Sequence, residues 1–130
     1  MILSTKGRYS VMLMVDIAIH SALGNVPIEA ISKRQNIPVN YLEQLCARLR
    51  RAGLLQSIKG PGGGYKLAKS HNEITIWEII KNANEATSMT RCNGPEKGCT
   101  THHSKCLTHN LWKGLENTIE QYMLNVTLAN

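Results

Sequence analysis

At 130 residues, 42% of them hydrophobic, the chain has the size of one ordinary domain with room for a dimerising extension. Its most apolar run, Val11 to Leu23, is interrupted by Asp16 and His20, too short and too polar to span a bilayer, and no small-residue cleavage site follows an apolar start. The expected location is therefore the cytoplasm, with no membrane partner, where thiols stay reduced and a disulfide framework is disfavoured. The net charge of +6 is unevenly placed, with ten Lys or Arg against three acids in residues 1–70 and five against six in residues 71–130. A polyanion is expected at the first half and something else at the second.

In chain order, Lys6 to about Leu23 is apolar on nearly every side, which predicts a central helix buried on several faces. Ser4 or Thr5 can cap its start, and Gly24 ends it. Pro27 opens a short helix from Ile28 to about Gln35, Asn36-Ile37-Pro38 makes a turn, and a third helix runs from about Val39 to Ala52, closed by Gly53. Two short helices on a tight turn predict a helix-turn-helix whose third helix enters the major groove of double-stranded DNA. Leu42, Leu45, Cys46 and Leu49 share the face expected to pack inward, Cys46 as a small core residue. Asn40, Glu43, Gln44, Ala47, Arg48 and Arg51 share the other, where Gln can pair with adenine, Glu can accept from cytosine, and Arg can hold guanine or phosphate.

Leu54 to Ile58 and Tyr65 to Ala68 read as strands joined by Lys59-Gly60-Pro61-Gly62-Gly63-Gly64. A glycine-rich basic hairpin after a helix-turn-helix predicts a wing, with Ser57, Lys59, Gly60, Pro61 and Gly62 as its DNA contacts. The rival, a nucleotide-binding loop, lacks the required glycine spacing and following helix. Thr75-Ile76-Trp77-Glu78 reads as a capping box opening a helix to about Ala83, with Trp77, Ile80 and Ala83 or Asn84 facing inward.

Cys92, Cys99 and Cys106 follow, each pair separated by six residues, with His109 three beyond the last. Gly94, Pro95 and Gly98 disfavour regular structure there, and three thiolates plus an imidazole suit a metal. Zinc accepts such a set, and iron–sulfur clusters take thiolates with an occasional histidine. From Leu107 the chain is helical again. Trp112, Leu115, Ile119, Tyr122 and Val126 recur at steps of three and four, a narrow seam suited either to a partner helix or to packing on the chain's own domain. No paired carboxylates or Cys/His nucleophile in an apolar pocket suggest an enzyme.

Four segments in order carry a resemblance: Ser4-Thr5-Lys6-Gly7-Arg8-Tyr9, Tyr41-Leu42-Glu43-Gln44-Leu45, Gly60-Pro61-Gly62-Gly63-Gly64-Tyr65, and Arg91-Cys92, Gly98-Cys99 and Cys106-Leu107-Thr108-His109. Over essentially its whole length the chain resembles the IscR family, bacterial winged-helix repressors of iron–sulfur cluster assembly genes. The resemblance implies a [2Fe–2S] cluster held by Cys92, Cys99, Cys106 and His109, and base or backbone contacts from Tyr41, Glu43 and Gln44. It also places Lys59 where the family has a wing arginine. The family's spacing has five residues between successive cysteines where this chain has six, and His102 and His103 are additions. Related nitric-oxide sensors take an aspartate ligand near the N-terminus, where this chain has Arg8.

The expected architecture is mostly α (α+β): a winged helix-turn-helix over 1–84, a cluster-binding loop over 85–109 and a dimerisation helix over 110–130. The expected function is an iron–sulfur-sensing transcription regulator, mainly a repressor, binding a pseudo-palindromic operator as a homodimer. The alternative is a winged-helix regulator with a structural zinc or a redox-sensing thiol site.

Overall fold

The computed structural model describes residues 3–83 and 107–130. In chain order these form α1 (Thr5–His20) with a 3-10 turn (Ser21–Leu23), α2 (Ile28–Gln35), α3 (Val39–Arg51), β1 (Leu55–Ile58), β2 (Gly64–Leu67), α4 (Ile76–Asn82) and α5 (His109–Leu124). The first helix ends three residues earlier than expected, and Ser4 stands at its N-cap without a side-chain cap bond. It is central, contacting α2, α3, β2 and α4, but it is not buried all round. Leu13, Met14 and Ile17 are inaccessible, whereas Ile19 is 67% exposed and Val15 also reaches solvent.

The turn between α2 and α3 works because Asn36 takes the left-handed conformation at φ 56°, which a short polar side chain tolerates. Ser32 Oγ donates to the Ile37 carbonyl at 2.6 Å, closing the turn, and Ile37 is buried beneath it. Leu42, Leu45, Cys46 and Leu49 are all buried, as their spacing predicts, in one core with α1, α2 and the strand residues. The strands pair antiparallel with Leu55 opposite Leu67 and Ile58 opposite Gly64, each one residue off the expected start. Gly64 has φ 151°, and a Cβ there would sit 2.5 Å from the Val26 carbonyl oxygen, so only glycine lets β2 pair with Val26 as well as β1.

Thr75 and Glu78 form the expected capping box: Thr75 Oγ1 accepts from the Glu78 amide, and the Glu78 carboxylate accepts from the Thr75 amide. Ile79, Ile80 and Ala83 are buried. Trp77 is only half-buried, because Ile79 takes the inward position expected of it. The last helix stops at Leu124 and not at the end of the chain. Asn125 caps it, and the tail returns to α4: the Ile76 amide donates to the Val126 carbonyl at 2.9 Å and the Leu128 amide to the Ile74 carbonyl at 3.0 Å. Val126, expected as the final turn of a helical seam, lies past the end of the helix, its carbonyl engaged by the Ile76 amide.

One buried charge holds α1 to α2. Asp16 is 1% exposed and receives Arg34 Nη2 at 2.7 Å, Arg34 Nε at 3.0 Å and Gln35 Nε2 at 2.8 Å, with His20 Nδ1 at 3.5 Å. Burial alone would raise the Asp16 carboxyl; the Arg34 and Gln35 hydrogen bonds and the Arg34 charge outweigh it and hold the group below its ordinary value. Burial likewise pushes Glu78 up, and the Thr75 amide and Lys69 overcome it to leave that carboxyl lowered too. Both groups contribute stability that is complete above the ordinary carboxylate range of about 4 and is lost as pH falls through their lowered folded values. We expect the unfolding midpoint to drop in acid below about pH 4. Asp16→Asn should cost roughly 2 kcal/mol at pH 7, under the usual cost of breaking a buried pair because Arg34 reaches water. It should also flatten the acid loss, measured by thermal melts from pH 7 to 2.

Candidate nucleic-acid interface and metal loop

The outer face of α3 is bare. Asn40, Glu43, Gln44 and Arg51 are exposed, and with Ala47 they lie opposite the buried leucines. No acid sits in the first turn of α3, and Arg48, Arg50 and Arg51 occupy the last, so the charges follow the helix dipole and its positive end is open to a phosphate. Tyr41 is placed differently from the exposed group. It is half-buried, its ring edge-on to Tyr9 with centroids 5.8 Å apart, and Arg8 lies over the Tyr9 ring at 5.8 Å.

Arg48 was expected on the DNA-facing side with Arg51, but it turns away from it. It is half-buried and donates from Nη1 to the Ala83 carbonyl at 3.3 Å, at the end of α4. Three residues after the buried Leu45, it lies at the edge of the apolar face, where a carbonyl at a helix end can capture a guanidinium. Arg50, on the opposite edge, donates to Ser57 Oγ at 3.1 Å and so ties α3 to the wing. Ser57 is therefore engaged within the chain, and Arg50 is a residue that the sequence reading missed. Its spacing from Ser57 carries no periodic signal, since the contact crosses the turn between α3 and β1.

The wing tip, Lys59, Gly60, Pro61 and Gly62, is exposed, with the Gly63 amide donating to the Gly60 carbonyl at 2.9 Å and Asn25 Nδ2 to the Gly62 carbonyl at 3.4 Å. A Cβ on Gly63 would lie 2.2 Å from the Ile58 carbonyl oxygen, so the tip keeps its shape only with glycine there.

The candidate ligands Cys92, Cys99 and Cys106, and with them His102 and His103, lie outside the described residues. His109 is half-buried and is the first residue of α5, not the end of a loop. Among the described residues no three His, Cys, Asp or Glu side chains converge to hold a metal. The fourth cysteine, Cys46, is sealed in the core; burial drives its thiol up to about 12, against the hydrogen bond with Tyr65 that lowers it, with the Glu43 charge adding to the rise. It stays a thiol at neutral pH and cannot serve as a thiolate ligand. That leaves three of the chain's four cysteines for any site that uses thiolate ligands. The donor set of three thiols and an imidazole stays within that number.

α5 buries no residue within its own subunit. Leu111 is 60% and Tyr122 70% exposed, Trp112, Leu115 and Leu124 also reach solvent, and Ile119 is half-buried. An apolar groove of about 550 Å³ adjoins the tail, lined among others by Val15, Ala18, Ile19, Ile76, Val126 and Leu128.

The profile of the Rrf2 family, described as iron-dependent transcriptional regulators, matches residues 3–130. The chain belongs to the Rrf2 family. It is 49% identical over 126 residues to the HTH-type transcriptional regulator IscR of Pectobacterium carotovorum, covering 97% of this chain and 76% of that one. It is 48% identical over 127 residues to the regulator of the same name from Serratia proteamaculans, covering 98% and 76%. Among solved structures, T. potens IscR matches with TM-score 0.79 at 34% identity, covering 99% of this chain and 84% of that one. CymR, the global cysteine regulator of B. subtilis, matches with TM-score 0.83 at 29% identity, covering 99% and 94%. This Rrf2 chain is a transcription regulator and not an enzyme, with the winged-helix architecture expected of it. Among the described residues no helix is long and apolar enough to cross a membrane.

The two edges of α3 give different expectations. Glu43→Ala and Gln44→Ala should change which base is tolerated at one position per half-site by about 1–3 kcal/mol. Lys59→Ala should weaken all sequences alike and lower the salt slope by about 0.9 per lost phosphate contact. Arg50→Ala should resemble Lys59→Ala, since it releases the wing without touching the base-facing residues. Fluorescence anisotropy on an operator and its single-base variants over a salt series separates the classes.

Proposed function

We propose that the chain is a cytoplasmic, iron–sulfur-sensing regulator, mainly a repressor, that binds a pseudo-palindromic operator as a homodimer and holds a [2Fe–2S] cluster through Cys92, Cys99, Cys106 and His109. The observation that carries this reading is the route from α3 to the cysteines. Arg48 binds the Ala83 carbonyl, Cys92 follows nine residues later, and His109 opens the exposed helix α5. Whatever draws the cysteines and His109 together acts on the two elements flanking them, α4 and α5. Through Arg48, α4 is bonded to the recognition helix.

When bound, the cluster supplies one-electron and assembly-dependent chemistry that reports iron–sulfur status. The residues of the chain do the rest. Asn40, Glu43 and Gln44 face bases, with the half-buried Tyr41 beside them. Arg51 and the wing residues Lys59, Gly60, Pro61 and Gly62 face the sugar-phosphate chain, and Ser57 is held by Arg50 to orient that wing. Trp112, Leu115, Ile119 and Tyr122 form the contact with a second copy, and Val126 adds to it from the tail beside Val15 and Ile19. Two copies present two recognition helices, which is the reason for a two-fold operator.

The test is the visible spectrum of anaerobically purified protein. The expected result is a reddish-brown protein with iron and sulfide in about equal amounts, colour lost in Cys92→Ala, Cys99→Ala and Cys106→Ala, and kept in Cys46→Ala. His109→Ala should shift or weaken it. A colourless protein with one zinc per chain would favour the structural-metal alternative, and bleaching by His102→Ala or His103→Ala in place of His109→Ala would move the fourth ligand. In sedimentation, Ile119→Glu should give a monomer, because a charge in an apolar contact is costly unless paired, and its operator affinity should fall with the lost bivalency.

A further inference from the structure

Beside the base-facing surface, α3 and α4 enclose an open groove of about 390 Å³ lined by Arg48, Arg51, Ala52, Lys81 and Asn82. Three of these five residues are cations. Arg48 spends one guanidinium N–H on the Ala83 carbonyl at 3.3 Å, and Arg51 spends Nε on the Ala47 carbonyl at 3.2 Å, so each head is steadied while its remaining N–H groups are uncommitted among the described residues. Asn82 Nδ2 donates to the Glu78 carbonyl at 2.8 Å. Lys81 is exposed and has no acidic partner among the described residues. The acid of α4, Glu78, is committed at the opposite end of that helix to Lys69 at 3.0 Å and to the Thr75 amide at 3.1 Å. The C-terminal ends of α3 and α4 add a partial negative charge of about half a unit at most for each helix, which three full positive charges exceed.

The position fits a nucleic-acid phosphate. A 13-residue helix is about 20 Å long, more than the roughly 12 Å width of the major groove. With Asn40, Glu43 and Gln44 against base edges, the last turn of α3 lies at the rim, where the sugar-phosphate chain runs, and α4 stands beside it. We propose that the groove between the C-terminal ends of α3 and α4 is a phosphate-binding site that clamps one backbone phosphodiester per half-site, with Lys81 and Arg51 as its charged contacts and Arg48 as their support. The inference rests on the DNA-binding reading and adds a contact from α4, outside both the recognition helix and the wing. This phosphate contact also lies on one of the two elements that flank the cysteines in the sequence.

The experiment uses the intact dimer, wild type, Lys81→Gln, Lys81→Arg and Lys81→Ala, titrated with operator and with unrelated duplex from low to moderate salt. Lys81→Gln and Lys81→Ala are expected to bind both duplexes more weakly by a similar factor, with the log–log salt slope lower by about 1.8 for the two half-sites together. Lys81→Arg should restore both affinity and slope. A Lys81→Gln dimer with the wild-type slope overturns the site, as does a loss confined to operator. A second arm follows the Lys81 resonances while inorganic pyrophosphate is added; a free-anion shift accompanied by no effect of Lys81→Gln on DNA would mean a small-anion site and overturn the phosphodiester assignment. Failure of the wild type to bind duplex with a steep salt slope would instead sink the DNA-binding reading itself, so the two failures are distinguishable.

Discussion

A carboxylate with almost no contact with water, Asp16, governs the geometry of the helix-turn-helix. Taking an ion out of water costs several kcal/mol, and the cost is met only when the lone pairs are filled with well-placed donors. Arg34 supplies two and Gln35 a third, all from the last turn of α2. Any rotation of α2 about α1 would leave a buried charge without its partners. The pair therefore works less as a source of net stability than as a penalty on every alternative angle. The angle of α2 in turn sets where the Asn36 turn releases the chain, and so where α3 begins.

The recognition helix is then held on three sides. Its apolar face is buried without remainder, Arg50 reaches the wing along one edge, and Arg48 reaches α4 along the other. The fourth side is left bare. A helix positioned this way has no freedom to roll, so whatever its bare face contacts is met without first spending interaction energy on ordering the helix. The same economy explains the wing. Glycines at 63 and 64 let the hairpin pass within van der Waals reach of the Ile58 and Val26 carbonyls, fixing a short loop that would otherwise be mobile at its tip.

Much of this was legible from residue spacing, and the exceptions have a common physical cause. The four buried positions of α3, the Asn36 turn, the capping box at Thr75 and the hairpin follow from local rules of periodicity and turn chemistry, and they stand where those rules put them. Arg48 and Val126 depend on contacts with residues remote along the chain, and Arg50 and Ser57 on a contact across a turn, none of which periodicity encodes: Arg48 and Arg51 differ by three positions, yet the Ala83 carbonyl is bonded only by the former. Val15 and Ile19 misled for another reason: an apolar run does not say which of its faces packs inward, and here Leu13, Met14 and Ile17 take that face. The role of Arg34 at Asp16 was likewise invisible, since an arginine at the end of a short helix reads as a solvated charge. For the proposed ligands the structure adds one point from the fold: Cys46 is locked in the core, as its place on the apolar face of α3 predicts.

The similarity to CymR narrows where effector specificity can reside. A regulator named for cysteine and one named IscR match this backbone about equally well, at TM-scores of 0.83 and 0.79, so the shared scaffold does not select the signal. Selection has to come from side chains, and under the proposed function the candidates are those between α4 and α5. Under the proposed function, ligation there can influence DNA only through a difference in free energy between two arrangements of α3 and the dimer. Couplings of this kind are typically about 1–3 kcal/mol, a five- to 150-fold change in affinity. A single charge-assisted hydrogen bond such as Arg48 to Ala83 is worth about that much when formed in one arrangement and absent in the other. No large rearrangement is needed. A shift of α4 that lengthens one bond would release the edge of the recognition helix nearest the phosphates, while the core beneath Leu42, Leu45 and Leu49 stays intact. A sensor built this way retains residual DNA affinity in both states, because the basic surface persists and only its alignment changes.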